Sequence, residues 1–117
     1  NCSFVKFFSL NQISPSYIFS NTEIPRKVFV QIELQARFGE KNNIESAKRL
    51  EAAGVQITFG IPGLKVHSKI CVIEREENNK IVRYGFVSTG NFNEITAKVY
   101  TDYTLFTSDQ KILKEVN

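Results

Sequence analysis

The sequence contains no methionine, no tryptophan, one histidine and two cysteines. Two thiols, Cys2 and Cys71, build neither a disulfide framework nor a metal-binding spacing, so a cytoplasmic, reducing environment is expected. Cys71 lies in the run Ile70-Cys71-Val72-Ile73 and is expected to be a small buried hydrophobe. With 6 glycines and 3 prolines, collagen and low-complexity chains are excluded. No apolar run approaches the ~18 residues of a membrane span, and none is expected. Asn1 to Lys6 lack the basic-then-apolar build of a leader peptide, and the chain is expected to be excised from a longer protein. Fifteen Lys and Arg against 12 Asp and Glu give a net charge of +3. That is too mild to imply a nucleic-acid partner, and none is expected.

What is present is an ordinary globular composition over 117 residues, read as one domain, 1–117, with a core of useful size. Val5 to Leu10 reads as a strand, and Ser14-Pro15 as the cap of a short helix. Val28 to Leu34 reads as a buried strand. Asn43 to Ala53 reads as a helix capped by Asn43, with Ile44, Ala47 and Leu50 at helical spacing, stopped by Gly54. Val55 to Phe59 is the next strand, completing a parallel βαβ unit. After the loop Gly60-Ile61-Pro62-Gly63, Lys65 to Glu74 and Lys80 to Val87 form a hairpin about a turn at Glu76 to Asn79. A short helix over Asn93 to Val99, a strand over Thr104 to Thr107, and a C-terminal helix capped at Ser108-Asp109 follow. Ile112, Leu113 and Val116 would dock that helix on the sheet. The fold class is α/β, with a mixed sheet flanked by helices.

Two clusters carry candidate chemistry. Side chains alternate along a strand, so Lys65, His67 and Lys69 would share one face. Two ammonium groups disfavour a third positive charge between them, which suits an imidazole to act as base or nucleophile. The lysines would neutralise phosphoryl oxygens. The ordinary alternative is a half-exposed polar face with a hydrogen-bonded histidine. The second cluster is Ser88-Thr89-Gly90-Asn91-Phe92-Asn93-Glu94. Gly90 permits close backbone approach, a helix start suits an anion, and Asn91 and Asn93 could orient an imidazole or a phosphate oxygen. An ordinary turn with an asparagine cap would look the same.

Taken together, His-x-Lys followed by Gly-Asn-x-Asn resembles a half-site of the phospholipase D superfamily. Glu74 stands where that superfamily often has aspartate. Glu33-Leu34-Gln35-Ala36-Arg37-Phe38, Asn42-Asn43-Ile44, Pro62 to Lys69, Ile81 to Tyr84, Thr89 to Glu94 and Tyr100-Thr101-Asp102 then occur in order. They resemble the first of the two phospholipase D-like C-terminal domains of the polyphosphate kinase family, from about Val28 to Asp109. Residues 1–27 form a divergent edge.

The resemblance implies reversible transfer of the terminal phosphate of ATP onto inorganic polyphosphate through a phosphohistidine, with Mg2+. His67 would be the nucleophile, with Lys69, Asn91 and Asn93 around it. Lys65 and Tyr100 would contact the nucleotide. Arg37 corresponds to an arginine associated with magnesium and phosphate. Its guanidinium offers no lone pair to a metal, so it is read as a phosphate clamp beside one. The family's second phosphate-site arginine would fall at Phe7, with Lys6 beside it, and Gly39 stands where an acidic residue is usual. The remaining polyphosphate kinase domains, a facing half-site and a homo-oligomer are the implied partners. A phospholipase D-type phosphodiesterase or nuclease built from two half-sites, and a non-catalytic anion-binding remnant, are the other readings. Arg83 and Lys98 are read as solvated surface.

Overall fold

In the computed structural model, residues 2–8, 27–33, 40–92 and 94–117 are described, with 2–8 and 40–42 as backbone. Six strands form one sheet: β1 (Cys2–Phe8), β2 (Lys27–Ile32), β3 (Gln56–Phe59), β4 (Lys69–Glu77), β5 (Lys80–Ser88) and β6 (Thr104–Thr107). Its spatial order is β3-β2-β1-β4-β5-β6. β3, β2 and β1 run parallel, and β1, β4, β5 and β6 pair antiparallel. α1 (Glu40–Ala52) connects β2 to β3, and α2 (Gln110–Glu115) closes the chain.

The expected βαβ unit is β2-α1-β3. Every second residue of β2 is buried, and Val28, Val30 and Ile32 pack with Ala47 and Leu50 of α1 and with Val55. Burying side chains of this size contributes about 1.5–3 kcal/mol each relative to exposure. α1 starts earlier than expected, at Glu40, so Asn43 is not its cap. Asn43 is buried instead, and its Nδ2 donates to the carbonyl of Glu33 at 3.1 Å. Ile44 stays on the exposed side. Gly54, at φ +86°, ends the helix.

β4 and β5 are joined by Asn78 and Asn79 alone, at φ 50° and 60°. A two-residue type I′ hairpin turn demands positive φ at both positions, which asparagine tolerates. β4 runs on through Glu76 and Glu77, so the turn is tighter than expected. Its central residues Cys71 and Val72 are both buried, and Cys71 is a free thiol.

Asp109 caps α2, accepting from the Lys111 and Ile112 N–H groups at 2.8 and 3.1 Å. The Gln110 side chain brackets the Arg83 backbone, accepting from its N–H and donating to its carbonyl at 2.9 Å each. It continues the pairing of β5 beyond the end of β6. Leu113 is fully buried, while Ile112 is 41% exposed and turns away from the sheet. A Cβ on Gly85 would stand 2.2 Å from the Cys71 carbonyl oxygen and 3.0 Å from Leu113 Cδ2. Gly85→Ala therefore forces β4, β5 and α2 apart. We expect a loss of about 1–3 kcal/mol in urea unfolding. An unchanged midpoint would contradict this packing.

The short helix expected over 93–99 is reduced to a 3-10 turn, Thr96–Lys98, and Asn93 lies outside the described residues. The expected helix at Ser14-Pro15 also falls outside them. No helix among the described residues is long and apolar enough to cross a membrane.

Candidate active site

Hairpin register brings the two clusters to one end of the sheet. The last pair of the β4–β5 ladder is Lys69 with Ser88, and that of β5–β6 is Ser88 with Thr104. The chain segments continue past these pairs side by side. Thr89 N–H donates to the Tyr103 carbonyl at 3.0 Å, and Tyr103 N–H donates to Thr89 Oγ1 at 3.0 Å. The Ser88 and Thr104 hydroxyls share a 2.8 Å hydrogen bond. Lys69 and Thr104, 35 positions apart in sequence, thus flank Ser88 on its two sides, because β-ladders fix register residue by residue.

The expected strand over Lys65 to Glu74 starts only at Lys69. Lys65 and His67 precede it outside the described ladders, because β5 pairs from Lys69 onward and β1 from Ile70. The three residues therefore do not share an exposed face. Lys65 and His67 are exposed, whereas Lys69 is buried to 3% exposure. Lys69 Nζ lies 3.2 Å from His67 Nδ1 and donates to the His67 carbonyl oxygen. An ammonium has only donors, so in this arrangement Nδ1 is the acceptor and a neutral ring carries its proton on Nε2. Burial pulls the Lys69 ammonium below the usual lysine range, and the facing Asp102 charge offsets part of that pull.

Asp102 received no role from sequence, although it closes the Tyr100-Thr101-Asp102 motif. Its Oδ1 accepts from the Thr89 hydroxyl at 3.0 Å. Its carboxylate lies over Gly90, where an added Cβ would sit 2.0 Å from Asp102 Cγ. Only glycine at 90 leaves that space. The role of Gly90 is thus to admit a carboxylate that faces Lys69, and among the described residues after it no helix starts before Thr96.

Asn91 is half-buried, and its Oδ1 is a buried atom with no partner among the described residues. An unpaired buried acceptor costs about 1–3 kcal/mol, and such atoms mark sites where a ligand completes the bonding. A half-turn of the amide presents Nδ2, a donor suited to a phosphoryl oxygen. Phe92 follows, edge-on to Phe86 with centroids 4.9 Å apart, and Phe86 meets Phe106 at 5.7 Å. These contacts hold the loop against β5 and β6.

Tyr100 is 67% exposed, two residues before Asp102 on the same loop. Arg37 and Asn93 lie outside the described residues. β1 registers Phe7 with Cys71 and Lys6 with Val72, two and three residues along β4 from Lys69. Arg83 is not solvated surface as expected: its Nη2 pairs with Glu74 Oε1 at 2.6 Å, across the hairpin. Glu74 also accepts from Asn117 Nδ2 at 3.3 Å. Lys98 is exposed, as expected.

Residues 13–117 match the family model described as polyphosphate kinase C-terminal domain 1. The chain belongs to that family. It is 56% identical over 91 residues to the polyphosphate kinase of Escherichia coli K12, covering 78% of this chain and 13% of that protein. Identity to the Yersinia pestis polyphosphate kinase is 57% over the same length and the same shares. A crystal structure of polyphosphate kinase from Porphyromonas gingivalis superposes at a TM-score of 0.70 with 33% identity, covering 98% of this chain and 20% of that one. The chain thus spans about one eighth of the curated polyphosphate kinases it matches. The His67, Lys69 and Asp102 arrangement belongs to C-terminal domain 1.

Proposed function

We propose that this chain is a phospholipase D-like half-site of polyphosphate kinase, one domain over 1–117, in which His67 accepts the terminal phosphoryl group of ATP and passes it to polyphosphate. The observation that carries the reading is the lysine held on the ring of the chain's single histidine and facing the Asp102 carboxylate, at the end of the sheet where the buried Asn91 Oδ1 has no partner among the described residues. An imidazole lone pair bonds to the γ-phosphorus as the bond from that phosphorus to the β-γ bridging oxygen breaks and ADP leaves. The terminal oxygen of polyphosphate then attacks the same phosphorus, the N–P bond breaks, and the chain is one unit longer. Either direction uses the same groups.

Before substrate arrives, Lys69 occupies the Nδ1 lone pair. When its ammonium turns to a phosphoryl oxygen, the ring proton can reside on Nδ1 and Nε2 becomes the nucleophile. Lys69 and the Asn91 amide stabilise charge spread over the transferring oxygens, which is most of what phosphoryl transfer asks of a protein. Lys65 and Tyr100, both exposed beside this end of the sheet, are suited to the nucleotide, and Arg37 to the phosphates. Among the described residues no group of three His, Cys, Asp or Glu side chains is arranged for a metal ion. Magnesium enters here as the substrate's own counter-ion, which keeps most of its waters and needs few protein ligands. The enzyme acts in the cytoplasm, together with the other polyphosphate kinase domains.

The test is labelling from γ-32P ATP and magnesium in a full-length polyphosphate kinase carrying this segment. We expect base-stable, acid-labile phosphate that disappears in His67→Ala. Label persisting in that variant would overturn the reading. Metal-independent cleavage of a phosphodiester by the purified chain would favour a phosphodiesterase instead.

A further inference from the structure

Glu33 stands at the end of β2 and is buried to 8% exposure. A buried carboxylate needs strong hydrogen bonds to remain there. One of them is distant in sequence: Glu33 Oε2 accepts from the Val66 N–H at 3.1 Å. Val66 immediately precedes His67 and lies in the stretch before β4. The Glu33 carbonyl is in turn held by Asn43 Nδ2 of α1 at 3.1 Å. The other end of the same loop is tied to the same strand end, because Gly60 N–H donates to the Ile32 carbonyl at 2.9 Å. Between these ties the Ile61–Leu64 bridge and Gly63, at φ +79°, turn the chain back. A cleft of about 470 Å³, lined by Glu33, Phe59, Pro62, Leu64 and Lys65 among others, lies under the loop.

We propose that Glu33 is a positioning residue for His67: its carboxylate grips the Val66 amide and so sets where the imidazole-bearing segment leaves the loop and enters β4. This rests on the reading of His67 as phosphoryl acceptor. A charge-assisted bond to backbone N–H is among the stronger hydrogen bonds, and it acts one residue from the nucleophile. Lys69 holds the other side of His67 through its carbonyl. The backbone on both sides of the nucleophile is therefore held by side chains, Glu33 just past β2 and Lys69 at the start of β4. A displacement of about 1 Å at a reacting group can cost 10²-fold in rate.

The experiment uses the 117-residue chain with two readouts. The first is hydrogen exchange of the Val66 amide by NMR. The second is the rate at which His67, the only histidine, takes phosphate from phosphoramidate, whose P–N bond breaks as the imidazole nitrogen bonds phosphorus and ammonia leaves. In the parent chain the Val66 amide is expected to exchange at least about 100-fold slower than in an open chain. Glu33→Ala is expected to lose about tenfold or more in both that protection and the phosphorylation rate. Glu33→Gln keeps an acceptor oxygen at the same reach and is expected to hold both within about threefold of the parent. An unprotected Val66 amide in the parent overturns the proposal without any variant. So does a Glu33→Ala chain that keeps both properties, or a folded Glu33→Gln chain as impaired as Glu33→Ala. If His67 takes no phosphate even in a full-length polyphosphate kinase carrying this segment, it is the phosphohistidine reading that fails, while the Val66 exchange still decides whether Glu33 grips the loop.

Discussion

Lys69→Met, in a full-length polyphosphate kinase carrying this segment, is expected to lower phosphoryl transfer by roughly 10²–10³-fold, the usual loss when one preorganised donor to a developing charge is removed. The same substitution in the chain is expected not to lower its thermal midpoint near neutral pH. Burial of Lys69 disfavours its charged form more than the Asp102 charge favours it, so the folded chain bears a cost that methionine does not. The sign follows from proton counting. Lys69 titrates below the usual 10.5 in the folded state. Between that lowered value and 10.5 the unfolded chain binds more protons than the folded one, and stability rises with pH. The penalty is full below the folded value and relieved as pH climbs toward 10.5. Any stability advantage of the methionine variant should therefore be largest near neutral pH and shrink in alkali. On the proposed function, the use of the ammonium at this position is to meet phosphate. Melting curves at several pH values, set against initial rates, read both halves. A large fall in midpoint at neutral pH would instead make Lys69 a residue that holds the fold.

The isolated 117-residue chain is expected to make no detectable polyphosphate from ATP and magnesium, and to gain activity when the second C-terminal domain is added in trans. Phosphoryl transfer depends on positioning both nucleotide and acceptor and on excluding water. Here the candidate residues face outward: Lys65, His67, Tyr100 and Asp102 are all exposed. Nothing among the described residues stands opposite them. Several large apolar side chains around the same end of the sheet, including Phe92, Ile95, Val99 and Tyr103, are also exposed. Groups that act as a unit lose nearly all their value when the unit is incomplete, so the absence of a facing half-site is a loss of the whole rate rather than of half. Synthesis followed by gel electrophoresis of the product, with and without the added domain, measures this. Robust turnover by the chain alone would show that one half-site suffices.

Local chemistry made much of this protein legible from sequence alone. Asp109 ahead of Ile112, Leu113 and Val116, three, four and seven positions on, specifies a capped helix because the carboxylate satisfies two N–H groups within three residues of itself. Asn78-Asn79 between two β-rich runs specifies a hairpin because few residues accept positive φ in succession. The β2-α1-β3 unit follows from hydrophobic spacing that alternates by two, then by helical turns, then by two again. The His67 and Gly90-Asn91 motifs were likewise visible as strings of residues. Where each strand stops was not visible. Lys65-Val66-His67-Ser68-Lys69 alternates like a strand throughout, but a strand exists only where a neighbour offers a ladder, and β1 and β5 offer none before Lys69. Lys69, inside the ladder, is buried, while His67 before it is exposed and the Val66 amide donates to Glu33. The helix expected after Asn93 shrinks to a 3-10 turn, with no buried residue in it. Asp102 joins the site only because the β5–β6 register lays it over a residue without a Cβ. Residue types and spacing thus determined which groups could do chemistry. Register between strands, a property of at least two segments at once, decided which of those groups meet, which are buried and which face a substrate.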